Sequence, residues 1–243
     1  MIEIHNLTKT FGKKIAVNDI SFSADSGVIT GLIGSNGSGK STTMRMIATL
    51  LRQDQGSVII DGVDTVNYPH KARKKIGILL GGDVSLYERL TAKENILYFS
   101  DLQSVERKVA EQRLKELVEL LDMNAYIDRR VGGFSRGMRQ KVAFARSIIH
   151  SPDVLLLDEP STGLDINSIK DVQNFIWYCK SQGKTILLST HNAHEMERLC
   201  DSLVFIEEGR IVAQGEKSLL LQESGCNDTA DLFFYYRERS KQQ

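Results

Sequence analysis

Apolar and polar residues alternate through MIEIHNL at the start of the chain, and again through DISFSA and GSVIIDGV, a period of two that predicts half-buried strands. The next apolar run, VITGLIG, leads into a glycine-rich turn and then into STTMRMIATLL, which reads as a helix. Between about Thr91 and His150 the strand patterns vanish. ENILYFSDL, the segment VERKVAEQRLKELVELLDM with Leu114, Leu117, Val118 and Leu121 at helical spacing, and FSRGMRQKVAFAR predict three helices there. Apolar strands return as DVLLLD and KTILLSTH, separated by a helix over about 167–181 and followed by a helix from about Ala193 and the strand pair DSLVFIEEGRIVAQG. Apolar strands alternating with helices imply a parallel sheet covered on both faces, so a helical insertion interrupts an α/β core. Residues 216–243 carry two weak helical patterns, and FFYYR within them fits a packed helix better than a stacking or membrane-binding patch.

One helix start is electrically odd. Ser135 is a good N-cap, yet Arg136, Arg139 and Lys141 follow it, at the end where the helix dipole is already positive. Each such cation costs roughly 0.3–1 kcal/mol unless an anion sits nearby.

Composition narrows the class. With 243 residues, 41% hydrophobic and 26% charged, the chain can bury a sizeable core as one large domain or as a core with a subdomain. Lys plus Arg and Asp plus Glu both total 31, so no overall charge draws it to nucleic acid or to an anionic membrane. Cys179, Cys200 and Cys226 are far apart, without CxxC spacing, which suggests neither a disulfide framework nor zinc and points to a reducing cytosol. The N-terminal segment alternates like a strand and lacks a signal peptide's apolar stretch. No segment approaches the ~20 apolar residues that span a bilayer, so any membrane role requires docking through a partner.

Three strand ends carry candidate chemistry. GSNGSGKS, Gly34 to Ser41, fits G-x-x-x-x-G-K-[ST] between an apolar strand and a helix, the setting in which curled backbone amides and a helix N-terminus hold polyphosphate. In it Lys40 would neutralise the β- and γ-phosphates and Ser41 would offer its hydroxyl to Mg²⁺. VLLLDEP ends in Asp158, placed to support the Mg²⁺ shell, and Glu159, placed to polarise an attacking water; alone, such an acidic pair is also a common surface cap. KTILLSTH ends in His191, on its own an ordinary polar strand terminus, but within reach of the γ-phosphate or its water if the strands neighbour one another.

These pieces, in this order, resemble the nucleotide-binding subunit of an ABC transporter, a likeness that runs from Ile2 to about Gly215. The resemblance implies a P-loop NTPase (RecA-like) α/β core with N-terminal antiparallel β-strands and an inserted helical subdomain. One ATPase domain would occupy residues 1–215, its core about 1–90 and 151–215 and its helical subdomain about 91–150, followed by a helical tail over 216–243. It also implies ATP and Mg²⁺ as ligands, with Gly34, Ser35, Asn36, Gly37, Ser38, Gly39, Lys40, Ser41 and Thr42 on the phosphates and Ser41 and Asp158 on the metal. Phe11 matches the aromatic residue that stacks on adenine, Asp165 in STGLD the D-loop, and Glu159 and His191 the catalytic base and switch histidine. Ser135 and Gly137 fall on the signature motif, which in this family meets the nucleotide of a second subunit.

Two positions depart from the family pattern. The signature usually reads leucine, serine, two glycines and glutamine, where this chain has Phe134, Ser135, Arg136, Gly137 and Met138. The Q-loop glutamine expected after IGILL is missing, the chain continuing Gly81, Gly82, Asp83. Both departures, with IGILLGGDVSLYERLTAKEN and GFSRGMRQKVAFARSIIHSP, are similar to the ATPase of bacterial sodium-extruding ABC exporters; exporters of drugs, peptides or lipids share much of the same motif set. The implied partners are an integral membrane permease, with Tyr87, Glu88 and Arg89 on the coupling surface, and a second ATPase subunit, at the cytoplasmic face of the membrane. In that dimer the phosphate for the cationic helix start would arrive from the opposite subunit. Nucleic acid is not expected. A soluble ABC protein that remodels nucleic acid or ribosomes would carry a second cassette or a long coiled coil, and a P-loop kinase would have no use for the signature, the D-loop or His191.

Overall fold

The computed structural model describes residues 1–80 and 86–240; Gly81, Gly82 and Asp83, where the Q-loop glutamine is missing, lie outside them. Along the chain run β1 (Ile2–Phe11), β2 (Lys14–Ala24), β3 (Ile29–Ile33), α1 (Lys40–Ile47), β4 (Gln55–Ile60), β5 (Val63–Asp64), α2 (Pro69–Lys74) and β6 (Ile76–Leu79). Then come α3 (Ala92–Leu102), α4 (Arg107–Leu120) and α5 (Arg136–Ile148), with a lone bridge between Thr91 and Arg130. The chain continues as β7 (Val154–Asp158), α6 (Ile166–Ser181), β8 (Thr185–Thr190), α7 (Ala193–Leu199), β9 (Ser202–Glu207), β10 (Arg210–Glu216), α8 (Lys217–Ser224) and α9 (Thr229–Ser240).

Two sheets result. The order β10-β9-β3-β8-β7-β6 makes a six-stranded sheet, parallel except for β10 at one edge, and β2-β1-β4-β5 makes an antiparallel four-stranded sheet. The fold is the α/β P-loop architecture predicted from sequence. Unbroken apolar runs in the central strands follow from burial on both faces. In β7, Leu155 and Leu157 enter the core beneath α5 and α6, while Val154 and Leu156 enter the core shared with α1 and the antiparallel sheet. On the first face Phe144 of α5 packs on Phe175 of α6, ring centres 4.5 Å apart, which joins the two helices in one core.

Three local expectations change. GSVIIDGV is not one strand: Asp61 and Gly62, at φ 44° and 74°, turn the chain between paired Ile60 and Val63, the hairpin that an Asp-Gly pair favours. The helix after the phosphate loop ends at Ile47, a turn short of STTMRMIATLL, because Thr49 takes a left-handed backbone at φ 61°. A short helix, α2, begins at Pro69, where proline's missing N–H costs nothing. The tail forms α8 and α9, and Tyr236 of α9 is buried against Phe205 of β9, ring centres 5.0 Å apart.

Candidate active site

A parallel sheet puts the C-terminal ends of neighbouring strands side by side, and β3, β8 and β7 are consecutive here. The loop after β3 holds Gly34 to Lys40, β7 ends at Asp158, and β8 ends one residue before His191. Cross-strand pairing of Ile33 with Thr190 and of Asp158 with Ser189 keeps these ends level.

The phosphate loop owes its shape to its glycines and to a buttress from the β9–β10 turn. A Cβ on Gly34 would lie 2.1 Å from the Ile206 carbonyl oxygen, and Gly39, at φ 115°, would collide with the Ala16 carbonyl at 2.7 Å. Gly209 N–H donates to the Ser38 carbonyl at 2.8 Å, and Ser35 donates its hydroxyl to Glu207 Oε1 at 2.5 Å. Lys40 is 4% exposed, and its Nζ donates to the carbonyls of Gly34 and Ser35 at 2.8 and 3.0 Å. Burial lowers its pKa, while Glu159, Asp158 and Glu207 pull the other way by stabilising the cation.

Two features of the loop suit a polyphosphate. The buried Ser38 hydroxyl has no hydrogen-bond partner, an orphan that a bound anion would satisfy. The start of α1 has neither a capping side chain nor an acidic residue in its first turn, so the amides around Lys40, Ser41 and Thr42 are open to an anion. Asn36 and Gly37 lie in the same loop, Gly37 at φ 84°.

Across the cleft, Ser41 Oγ is 3.4 Å from Asp158 Oδ1, and the Ser189 hydroxyl also donates to Asp158. A hydroxyl and a carboxylate are hard oxygen donors of the kind Mg²⁺ takes, and no group of three or more His, Cys, Asp or Glu among the described residues could cage a metal. The protein would thus supply few ligands and leave the rest to phosphate and water, the habit of Mg²⁺ in nucleotide sites. Glu159 sits at φ 48°, a strained conformation for a residue with a side chain, and its N–H donates to the Ser189 carbonyl at 3.0 Å. Its carboxylate accepts from the Thr162 hydroxyl at 3.3 Å and lies 3.0 Å from His191 Nδ1. In the tautomer protonated at Nδ1, the imidazole donates to that carboxylate. Thr190 Oγ1, bonded to Glu195 at 2.5 Å, accepts from the N–H of Asn192, and Asn192 caps α7 through His194 N–H, so both sides of His191 are held.

The structure therefore brings Lys40, Ser41, Asp158, Glu159 and His191 together. The remaining predicted residues sit in other settings. Phe11 is half exposed at the hairpin that leads through Lys14 to Ala16 on the phosphate loop, with Lys9 Nζ 5.6 Å from its ring centre. Ser135 caps α5 by accepting from Met138 N–H at 3.2 Å. Gly137 faces α6, where a Cβ would lie 2.3 Å from Ser168 Oγ. Asp165 caps α6 through the Ser168 N–H and hydroxyl, at 3.0 and 2.8 Å, bonds that lower its pKa.

The cationic start of α5 is balanced largely within the chain. Arg139 pairs with Glu88 at 3.4 Å and Lys141 with Asp171 at 2.9 Å, so the expectation that these two cations await an external phosphate is corrected. Arg136 instead packs on Gly163 and lines the cleft with Ser41, Asp158 and Glu159. Sequence reasoning missed Ser189, Gln140 and Glu207. The one visible signal was Ser189 and Thr190 as polar residues within the apolar strand TILLST.

Comparison with known proteins adds independent findings. A family model described as ABC transporter matches residues 17–162. The ABC transporter ATP-binding protein NatA of Bacillus subtilis is 43% identical over 237 residues, covering 96% of this chain and 96% of that protein. Nod factor export ATP-binding protein I of Burkholderia lata is 37% identical over 227 residues, covering 93% and 74%. Among solved structures, an ATP binding subunit of an ABC transporter superposes with a TM-score of 0.90 at 28% identity, covering 98% of this chain and 99% of its own. An ATP-binding cassette in its ADP conformation superposes with a TM-score of 0.82 at 25% identity, covering 96% and 98%.

Proposed function

The chain belongs to the ABC transporter family and is an ATPase, and from this we propose that two copies close head to tail around two ATP molecules to drive export through a separate membrane permease. The observation that carries the reading is the convergence of Lys40, Ser41, Asp158, Glu159 and His191 on one sheet edge, with the signature start at Ser135 on a different subdomain. Lys40 and the loop amides bind the phosphates, and Ser41 and Asp158 would hold Mg²⁺, which when bound would screen phosphate charge. Glu159 takes the proton of the attacking water, and His191 orients that carboxylate from 3.0 Å. Ser135 and Gly137 receive the partner's γ-phosphate at the start of α5, and Asp165 lies at the same interface. Two-fold symmetry makes both sites equivalent in a homodimer. Binding of ATP favours closure because ATP touches both copies only in the closed state.

No helix among the described residues is long and apolar enough to cross a membrane, which fits a subunit docked at the cytoplasmic face through its permease. The docking face centres on Tyr87, Glu88 and Arg89. Tyr87 is half exposed, stacks edge-on with Tyr98 at 5.3 Å and exchanges hydrogen bonds with Asn95 of α3. Glu88 reaches α5 through Arg139, so a push on this face arrives at the signature helix.

For the cargo we propose sodium, on the similarity of both motif departures to sodium-extruding exporters; export of a drug, peptide or lipid is the second reading, favoured by the 37% identity to a Nod factor export ATP-binding protein. Inside-out vesicles carrying the chain and its permease should accumulate radioactive sodium when given ATP. Accumulation of another solute without sodium would reassign the cargo, and failure of the chain to co-purify with an integral membrane partner would remove the transport reading itself.

Phe11→Ala should weaken ATP binding about 5- to 150-fold, since an aromatic platform contributes ~1–3 kcal/mol to stacking a base. Phe11→Trp should retain the affinity. Equal ATP affinities of wild type and Phe11→Ala in a fluorescent nucleotide titration would make Phe11 a surface residue only.

A further inference from the structure

We infer that Arg136 is a positioning residue for hydrolysis, clamping the loop between Glu159 and Asp165 from the first turn of α5. The inference rests on the reading of Glu159 as the base. The guanidinium lies against Gly163: a Cβ built there would fall 2.2 Å from Nη1, 2.6 Å from Cζ and 3.0 Å from Nη2. Gly163 has φ 71°, a backbone that favours glycine, and the end of the Arg136 side chain fills the space where a Cβ would stand. Arg136 also lines a cavity of about 240 Å³ whose other walls include Ser41, Asp158, Glu159 and Thr162.

One turn further along the same face of α5, Gln140 Nε2 donates to the Pro160 carbonyl at 2.8 Å. Two side chains of one helix thus grip the loop at Pro160 and at Gly163, and between those points Thr162 donates to the Glu159 carboxylate. Gly137, beside Arg136, packs directly on Ser168 of α6, so the start of α5 lies close to the element that follows the loop. A shift of the α5 start therefore carries Gly163 with it and moves the group that holds the base. A glycine at 136, as in the usual family signature, would leave only the Gln140 grip.

Such a clamp acts on the chemical step rather than on nucleotide binding, since proper placement of a base within about an ångström is worth up to ~100-fold in rate. Steady-state ATPase assays on the full chain should show Arg136→Gly lowering kcat about 5- to 10-fold with KM for ATP within about twofold. Arg136→Lys should fall between the two, because an ammonium is narrower than the guanidinium whose Cζ and both Nη atoms lie beside Gly163. Gly163→Ala should lower kcat in the Arg136 background and do less damage beside Arg136→Gly, a coupling of about threefold or more in the double-mutant cycle. The cycle cancels the backbone cost of alanine at a positive φ, which both backgrounds share.

Multiplicative effects of Arg136→Gly and Gly163→Ala would overturn the clamp, as would a rise in KM with kcat unchanged, which would instead put Arg136 on the nucleotide. Failure of the underlying reading looks different: Glu159→Gln would turn over at the wild-type rate whatever residue stands at 136.

Discussion

Lys40→Ala is expected to lower ATP affinity at least ~100-fold, a loss of about 2.7 kcal/mol or more in binding free energy. The side chain is buried at the mouth of the loop, and Asp158, Glu159 and Glu207 are close enough to bias its ionisation. Removing the ammonium therefore does more than delete one attraction. The polyphosphate would then meet these three carboxylates without the ammonium, leaving Mg²⁺ alone to offset them, and at an effective dielectric near 20 a single pair of charges ~4 Å apart already repels by about 4 kcal/mol. Part of the effect falls on the free protein, since the Gly34 and Ser35 carbonyls lose their donor; about 1 kcal/mol per bond is the usual scale. A modest drop in melting temperature should accompany the binding defect. Isothermal titration with ATP on protein confirmed folded by circular dichroism separates the two, and an affinity within threefold of wild type would defeat the phosphate-loop assignment.

What could be read from the chain divides along the range of the interactions. The phosphate loop was legible because its requirement is local: glycines at fixed offsets let the backbone curl, and a strand before and a helix after give it a place to stand. The central strands were legible because burial on both faces leaves an unbroken apolar run. The cationic start of α5 was legible as a problem and not as a solution. Its answers, Glu88 and Asp171, come from other elements, and no spacing rule connects Lys141 to an acid on α6. The same holds for Arg136, whose contact with Gly163 is made between two segments far apart in sequence, α5 and the loop before α6. The hairpin at Asp61 and Gly62 is a different kind of miss, since the Asp-Gly pair was there to be used and the apolar alternation across it took precedence.

Glu159→Gln should leave ATP binding close to wild type, cut steady-state hydrolysis about 10²- to 10⁴-fold, and trap an ATP-dependent dimer. The substitution is nearly isosteric, so the left-handed backbone at φ 48°, its N–H bonds to Ser189 and the Thr162 contact can all persist. What is lost is the ability to accept a proton, and an amide has no useful basicity at neutral pH. His191, 3.0 Å away, cannot simply take over, because in the arrangement seen its Nδ1 is already turned to the carboxylate that it orients. Stopping the chemistry should also stabilise the closed state. With hydrolysis blocked, ATP remains an interfacial ligand and linkage favours the dimer by an amount that grows with ATP concentration. Size-exclusion chromatography with light scattering should therefore find Glu159→Gln monomeric without nucleotide and dimeric in millimolar ATP, with Ser135→Arg abolishing the shift by crowding the end of α5. A dimer that ignores ATP would remove the nucleotide from the interface, whereas wild-type turnover in Glu159→Gln would move the base to another group.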